Sequence, residues 1–408
     1  MKVVFLNRFF FPDHSATSQL LTDLAYHFSN IGMNVHVIAS RQIYDNPGAK
    51  LLQRECVHGI SVHRVWSSRF GRRNLAGRAF DYLSFYLSAG WSLLWLLRRG
   101  DVVVAKTDPP LISVVAAAIV RIRGAKLINW LQDIFPEVAV ALNMRGINGI
   151  VAASLRRLRN WSLQSAAINV VLGERMATHV ARQGIQMDRI RVIHNWADGN
   201  AMQPVEQESN PLRLEWGLAG QFVVGYSGNM GRAHEFETIL ATADALRDES
   251  DIVFLFIGGG HQREHIEREA LRRGLKNVYF KQYQPRAALM ESLSLPDVHL
   301  ITLIPELEGL IVPSKFYGIA AVGRPVLFIG DEVGEIAQII HAANCGAVSA
   351  SGEYAKLAET ILQLRNNRES RNVWGMNARK ALEKYFDSEV ALLQWEETVK
   401  AVAETAID

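Results

Sequence analysis

Cysteine is scarce: Cys56 and Cys345 are the only two in 408 residues, and they lie far apart. That excludes a disulfide framework and a thiolate metal cluster, and leaves each as a small apolar residue. No apolar run reaches the ~20 residues that a spanning helix needs. The stretch from Ser84 to Leu97 is apolar over only 14 residues, and the one from Val102 to Val120 is broken by Lys106, Asp108, Pro109 and Pro110. The N-terminal MKVVFLNRFFFPDHS has no charged head followed by an apolar segment, so secretion is not expected and a reducing cytoplasm fits. No G-x-G-x-x-G turn opens the chain, and its first half has no glycine-rich turn at all. Dinucleotide oxidoreduction is thereby disfavoured.

Acidic residues are also unevenly short. Residues 1–199 hold 24 Lys and Arg against 12 Asp and Glu, whereas residues 200–408 hold 20 against 29, so the overall +3 conceals halves of +12 and −9. A basic half of this kind points to an anionic partner, with phospholipid, lipid diphosphate or nucleic acid as candidates.

With 49% hydrophobic and 21% charged residues, the chain can fill two cores. Lys2–Asn7 reads as a strand, 8–17 as a loop, and Ser18–Ile31 as a helix through Leu20, Leu21, Leu24 and Phe28, before a second strand at Asn34–Ala39. Strands at Asp101–Ala105, Lys126–Leu131 and Ala167–Leu172 continue the alternation, which predicts a parallel sheet with helices on both faces. The pattern restarts at Phe222–Ser227 and runs through Ile252–Ile257, Val278–Phe280, Val298–Leu303 and Pro325–Ile329. We therefore expect an α/β protein of two Rossmann-like, doubly wound domains, 1–199 and 200–387, with a linker over 197–221. A last helix in 388–408 would be able to cross back onto the first domain.

Ligands of such sheets sit at the carboxyl ends of strands, where glycines let backbone N–H groups approach phosphate. Two turns qualify: Ser227-Gly228-Asn229-Met230-Gly231-Arg232 and Gly258-Gly259-Gly260. Pro313-Ser314 reads as a helix start with the serine able to cap it, which puts Lys315 in the first turn, against the helix dipole. A cation placed against local preference suggests an anion to meet. His261-Gln262-Arg263-Glu264-His265 spells an inverted zinc-peptidase signature, but five residues match cheaply by chance and their surroundings look like a charged surface helix. No metal is expected. His194 and His299 read as structural.

Between Arg64 and Arg99 lie Arg64, Arg69, Arg72, Arg73, Arg78, Arg98 and Arg99 against Asp81 alone. Trp66, Phe70, Phe80, Tyr82, Phe85, Tyr86, Trp91 and Trp95 are interleaved with them. An anionic membrane surface, a buried aromatic core with solvated arginines, and base stacking on nucleic acid stay open, the last much the weakest.

The motifs NWLQDIFPE (129–137), VIHNWAD (192–198), GYSGNMGRAH (225–234), IGGG (257–260), DVHLITL (297–303) and PSKFYGIAAVGRP (313–325) together resemble glycosyltransferase family 4 over nearly the whole chain. The likeness is to its bacterial polysaccharide and O-antigen branch, which includes L-fucosamine transferases. The resemblance implies a GT-B fold with two domains facing across a cleft. It also implies a nucleotide-sugar on the second domain, an acceptor on the first, and retention of anomeric configuration without a metal or other cofactor.

Carried over by residue, the resemblance gives Arg232 and Lys315 to the donor diphosphate and places Gly258 and Gly259 under the nucleotide. It puts Tyr283 and Gln284 near the base, Ser15 and Thr17 in a loop facing the diphosphate, and Asp133 on the cleft. Where many members carry two glutamates eight residues apart, this chain has Leu310 and Gly318, with Glu306 and Glu308 out of register.

The expectation is a retaining glycosyltransferase that uses a UDP-sugar and extends a lipid-linked saccharide, peripheral on the inner face of the cytoplasmic membrane. A nucleotide-sugar epimerase on the same fold and a catalytically idle member of an assembly complex are the rivals.

Overall fold

The computed structural model describes residues 1–43, 46, 48, 51–71 and 75–405, and the chain divides into two compact units. The first comprises Met1–His194 together with the chain from Leu392 onward; the second is Asn195–Ala391.

The first unit runs β1 (Lys2–Leu6), α1 (Ala16–Asn30), β2 (Asn34–Ser40), β3 (Arg54–Val57), β4 (Ile60–Val65), α2 (Leu75–Leu96), β5 (Val102–Lys106) and α3 (Ile112–Arg123). It continues through β6 (Lys126–Trp130), α4 (Glu137–Ala141), α5 (Gly149–Ser165), β7 (Ile168–Val171), α6 (Glu174–Ala181) and β8 (Ile190–Val192). Its sheet has the order β3-β4-β2-β1-β5-β6-β7-β8. All pairings are parallel except β3 with β4, an antiparallel edge joined through His58-Gly59. The sequence reading missed this hairpin because β3, RECV, has no continuous apolar run.

Alternating strand residues serve the two faces of the sheet. Val4, Leu6, Val103, Ala105 and Leu127 pack with α2 (Phe85, Ala89, Leu93) and α3 (Ala116, Ala117, Val120). Buried Asn129 on the same face donates to the Ser162 carbonyl of α5, which places α5 in the layer of α2 and α3. The opposite face carries Phe5 against Phe28 of α1 and Trp130 against Trp395.

Trp395 lies on α15 (Ser388–Glu404), whose part beyond Leu392 belongs to the first unit. The Trp130 and Trp395 rings are 4.7 Å apart and both are buried. Lys126 donates to the Val402 and Ala403 carbonyls at 2.9 Å, a cation on the last carbonyls of a helix.

The second unit begins with α7 (Pro211–Glu215) and β9 (Phe222–Ser227), then α8 (Glu237–Ala245), β10 (Ile252–Ile257), α9 (Arg263–Arg273) and β11 (Val278–Lys281). It continues through α10 (Leu289–Ser294), β12 (Val298–Thr302), α11 (Lys315–Ala321), β13 (Val326–Ile329), α12 (Glu335–Ala343), β14 (Gly346–Ser349), α13 (Tyr354–Asn366) and α14 (Arg368–Ala381). The strands form a wholly parallel sheet of order β11-β10-β9-β12-β13-β14.

Most of the segment read as a linker is part of this unit. Leu212 and Leu218 join Val223, Val253, Leu255 and Ile257 in one buried cluster. Arg213 pairs with Asp297 at 2.6 Å, both buried. Pro204, Pro211 and the polar residues between them masked this short packed helix.

Trp395 supplies the buried packing of the last helix on the first unit, beside the polar ties of Lys126 to the Val402 and Ala403 carbonyls and of His27 to Glu396 at 3.2 Å. Trp395→Ala should destabilise that unit by about 3–5 kcal/mol in urea unfolding followed by near-UV circular dichroism. A loss below about 1 kcal/mol would show that α15 is held chiefly by its polar contacts to Lys126 and His27.

Candidate functional site

The two turns read from the sequence lie at the carboxyl ends of adjacent strands, β9 and β10. Their backbones interlock: Gly228 N–H donates to Ile257 O at 2.8 Å and Met230 N–H to Gly259 O at 2.7 Å. Gly258 (φ +135°) could not be replaced, since a Cβ would collide with the Gly228 carbonyl. At Gly260 (φ +135°) a Cβ would fall 2.7 Å from the Met230 backbone nitrogen. Gly259 and Gly260 give their own N–H groups to no acceptor among the described residues. The exposed Tyr283 ring covers this turn, 3.3 Å from where a Cβ would stand on Gly258 or Gly259, and Gln284 beside it donates only to the Gln282 carbonyl.

Lys315 opens α11. Its side chain lies along Gly228, and its ammonium sits 3.6 Å above the centre of the Tyr226 ring. It donates to the Tyr226 hydroxyl and, at 3.3 Å, to the Asn229 carbonyl. The Tyr226 hydroxyl in turn donates to the Asn229 carbonyl at 2.9 Å. Burial alone holds Lys315 well below the usual lysine range, and among the described residues no carboxylate pairs with it. A desolvated cation balanced by a ring face and neutral oxygens is a ready partner for an anion.

His234 joins this cluster, although the sequence reading passed it over. Its Nδ1 lies 2.6 Å from the Thr302 carbonyl, so Nδ1 carries the proton and donates, leaving Nε2 as an acceptor. Burial and the Lys315 charge push its pKa down to about 3. Its place at the end of GYSGNMGRAH was the available signal.

Other expected residues fare differently. Arg232 is exposed, with its guanidinium 3.0 Å from His261 Nε2. Gly231 is kept off bulk by the Asn229 amide, 2.9 Å from a notional Cβ. Pro313 is buried, but Ser314 makes no side-chain capping bond and is exposed, so its expected capping role is not seen. Its φ and ψ, −67° and −13°, are already helical rather than the extended geometry of a capping serine.

Glu308 is turned into the fold, accepting from the Glu335 N–H at 2.8 Å at the start of α12. A Cβ on Gly318 would press on Leu293 at 3.2 Å. Of the histidine-rich pattern, His261 precedes α9 and faces Arg232, and no group of three or more His, Cys, Asp or Glu side chains placed to hold a metal occurs among the described residues.

In the first unit, Ser15 N-caps α1 by position, and its hydroxyl and N–H both donate to Asp13 (2.5 and 2.8 Å). The Thr17 carbonyl accepts at 2.7 Å from Lys106, a fully buried lysine 3.7 Å above the Trp130 ring, which the sequence reading took only as a break in an apolar run. Next to it Thr107 donates to Asp133, just past β6. One Asp133 oxygen is buried with no partner, and burial pushes the carboxyl up to about 6. Asp133 does not cap α4.

Most of the basic aromatic stretch is now placed. Phe85 is core, and Arg64 is buried, bonded to Glu55 and to the Phe11 carbonyl at 2.6 Å, so neither belongs to a surface. Trp66, Phe70, Phe80, Trp91 and Trp95 are exposed. Arg72 and Arg73 lie outside the described residues. No helix among those described is long and apolar enough to cross a membrane.

Two Rossmann-like units in succession, with glycine turns and a half-buried lysine at the strand ends of the second, define a doubly wound α/β architecture of two parallel sheets. The structure of Anabaena Alr3699/HepE in complex with UDP and glucose superposes with a TM-score of 0.75 and 16% identity, covering 98% of this chain and 100% of that one. The fold is thus GT-B. Residues 213–381 match the family Glycosyl transferases group 1, and residues 17–196 match the Glycosyl transferase 4-like domain. With most of its length covered by these two families, the chain belongs to the family 4 type of glycosyltransferases.

A probable glycosyltransferase of Pseudomonas aeruginosa, WbjE, is 31% identical over 266 residues, 65% of this chain and 66% of that protein. A putative colanic acid biosynthesis glycosyl transferase of Escherichia coli (strain K12), WcaI, is 26% identical over 223 residues, 54% of each. The alignments therefore span just under two thirds of the first relative's length and about half of the second's.

Two outcomes follow. Lys315→Met removes a half-buried charge that no carboxylate compensates among the described residues, so its melting temperature should rise by ~2–4 °C in scanning calorimetry; a fall of that size would show that Lys315 is a structural tie. Asp133 has a raised folded pKa, so its protonated form contributes stability below the unfolded range near 4, and this is lost as pH rises through about 6. Asp133→Asn should therefore be more stable than wild type by about 1–2 kcal/mol at pH 8 and equal to it at pH 4, as read by urea titration at each pH.

Proposed function

We propose that this protein is a retaining glycosyltransferase that moves a sugar from a UDP-sugar to a lipid-linked saccharide in polysaccharide or O-antigen assembly. It would act at the inner face of the cytoplasmic membrane. The observation that carries the reading is the half-buried Lys315, its ammonium over the Tyr226 ring beside the Gly228–Asn229 turn and without a carboxylate partner among the described residues. The donor diphosphate would lie there, with Lys315 and Arg232 as its cations and the free N–H groups of Gly259 and Gly260 as further donors. The nucleoside would rest on the glycine turn under Tyr283 and Gln284. Crystallised HepE, with UDP and glucose bound, supports a uridine nucleotide as the donor's leaving half.

Charge grows on the diphosphate as the glycosidic bond breaks. A cation already stripped of water meets that charge without having to shed solvent during the reaction. The hydroxyl of the acceptor would attack the anomeric carbon from the face that the diphosphate leaves, so no protein nucleophile is required. Asp133 is the residue assigned to the acceptor or the transferred sugar, and its penalty for burial favours a proton or a hydroxyl donor beside it.

The test is transfer from radiolabelled UDP-sugars to lipid-linked saccharides extracted from a polysaccharide-producing bacterium, with UDP release and the product's anomeric configuration recorded. Acceptor-dependent UDP release with retained configuration is expected. Arg232→Ala and Lys315→Ala should each lower kcat by about 10²–10³-fold, and Arg232→Lys should recover only part. A free epimer formed without acceptor would establish an epimerase. No turnover of any donor would leave an idle partner in an assembly complex.

A further inference from the structure

We propose that the outer face of the α2–α3–α5 layer of the first unit is a membrane-docking surface for an anionic bilayer. This rests on the reading of a lipid-linked acceptor. On α2, Phe80, Leu83, Leu87, Trp91 and Trp95 recur at spacings of three and four residues, and all are exposed. Trp95, Leu87 and Trp91 are 71%, 68% and 64% accessible, although the opposite side of the same helix (Phe85, Ala89, Leu93) is fully buried. The helix is thus apolar on both sides, and its outer stripe runs over about 22 Å with Phe80 against the exposed Phe70 ring at one end.

The neighbours in the layer repeat the feature. Ile122 at the end of α3 is exposed, as are Ile150, Val151, Leu158 and Trp161 on α5.

Charge fixes the occupant. Between residues 64 and 165, Arg69, Arg98, Arg99, Arg121, Arg123, Arg145 and Arg157 are exposed. The acidic residues of that span are Asp81, Asp101, Asp108, Asp133 and Glu137, and none of them is exposed. An apolar stripe in a span whose exposed charges are all arginine matches an interface of acyl chains and anionic headgroups. The Trp91 and Trp95 pair, edge to face at 5.7 Å, has the amphipathic rings that favour the headgroup level. Aliphatic side chains such as Leu83, Leu87, Ile122 and Ile150 offer nothing to stacked bases, which sets nucleic acid aside.

The experiment is co-flotation of the full chain with vesicles of phosphatidylglycerol and phosphatidylcholine, alongside sedimentation velocity without lipid. Binding should require phosphatidylglycerol and weaken as salt rises. Arg98→Glu with Arg157→Glu should lower partitioning at least about tenfold, and Trp91→Ser with Trp95→Ser should remove most of the lipid-induced blue shift of tryptophan fluorescence, leaving the part that Trp161 reports. Both variants should keep wild-type UDP binding and circular dichroism, so a failure here is separable from a failure of the proposed reaction.

Equal partitioning of wild type and variants would overturn the proposal. So would a monomer–dimer equilibrium broken by the tryptophan substitutions, which would make a second copy the occupant. Binding of single-stranded oligonucleotide with the same arginine dependence would overturn it equally.

Discussion

The second unit is organised around the close approach of two turns. Where β9 and β10 end, the Gly228 carbonyl occupies the space a side chain would take on Gly258, and Met230 and Asn229 occupy the space beside Gly260. Only glycine satisfies both positions, given the positive φ at each. That contact leaves room beside Gly228 for the stem of Lys315, whose ammonium then has little choice but the Tyr226 ring and the Asn229 carbonyl. The position of a charge is thus set by backbone packing, and the polar bonds around it follow.

The same device recurs in the first unit with different parts. Lys106 ends β5 buried over Trp130, and its ammonium finds the Thr17 carbonyl at the start of α1. Asp108 and Asp23 pull against the burial that lowers its pKa, whereas nothing does so for Lys315. That contrast separates a lysine settled in its unit from one kept short of a counter-charge. Asp133 shows the opposite sign: an acid raised by burial, against which the Thr107 hydroxyl and a backbone N–H pull only in part. Groups held at a cost to the fold, at strand ends of an open sheet, are where chemistry is expected.

Much of this was legible in the amino-acid order. Continuous apolar strands such as IVFLFI and VVVAK, each followed by helical spacing, announce parallel sheets, because both faces of such strands are covered. The glycine turns and Lys315 could be singled out because each breaks a local preference that is visible without coordinates. Three features were not legible. The β3–β4 hairpin is a short half-exposed edge without an apolar signature. His234 lies eight residues from Tyr226 and 68 from Thr302, and only the fold brings it to them. The split of the arginine-rich stretch into buried Arg64 and exposed Arg98 depends on which strand or helix end each occupies.

The central claim is that Lys315 is left desolvated in order to meet a nucleoside diphosphate. It is tested most directly by comparing calorimetric affinities for UDP and for uridine in the wild type and in Lys315→Met. The account expects wild type to prefer UDP strongly, and the variant to lose at least about tenfold of that preference while holding uridine unchanged. An unaltered ratio of the two affinities in the variant would contradict it.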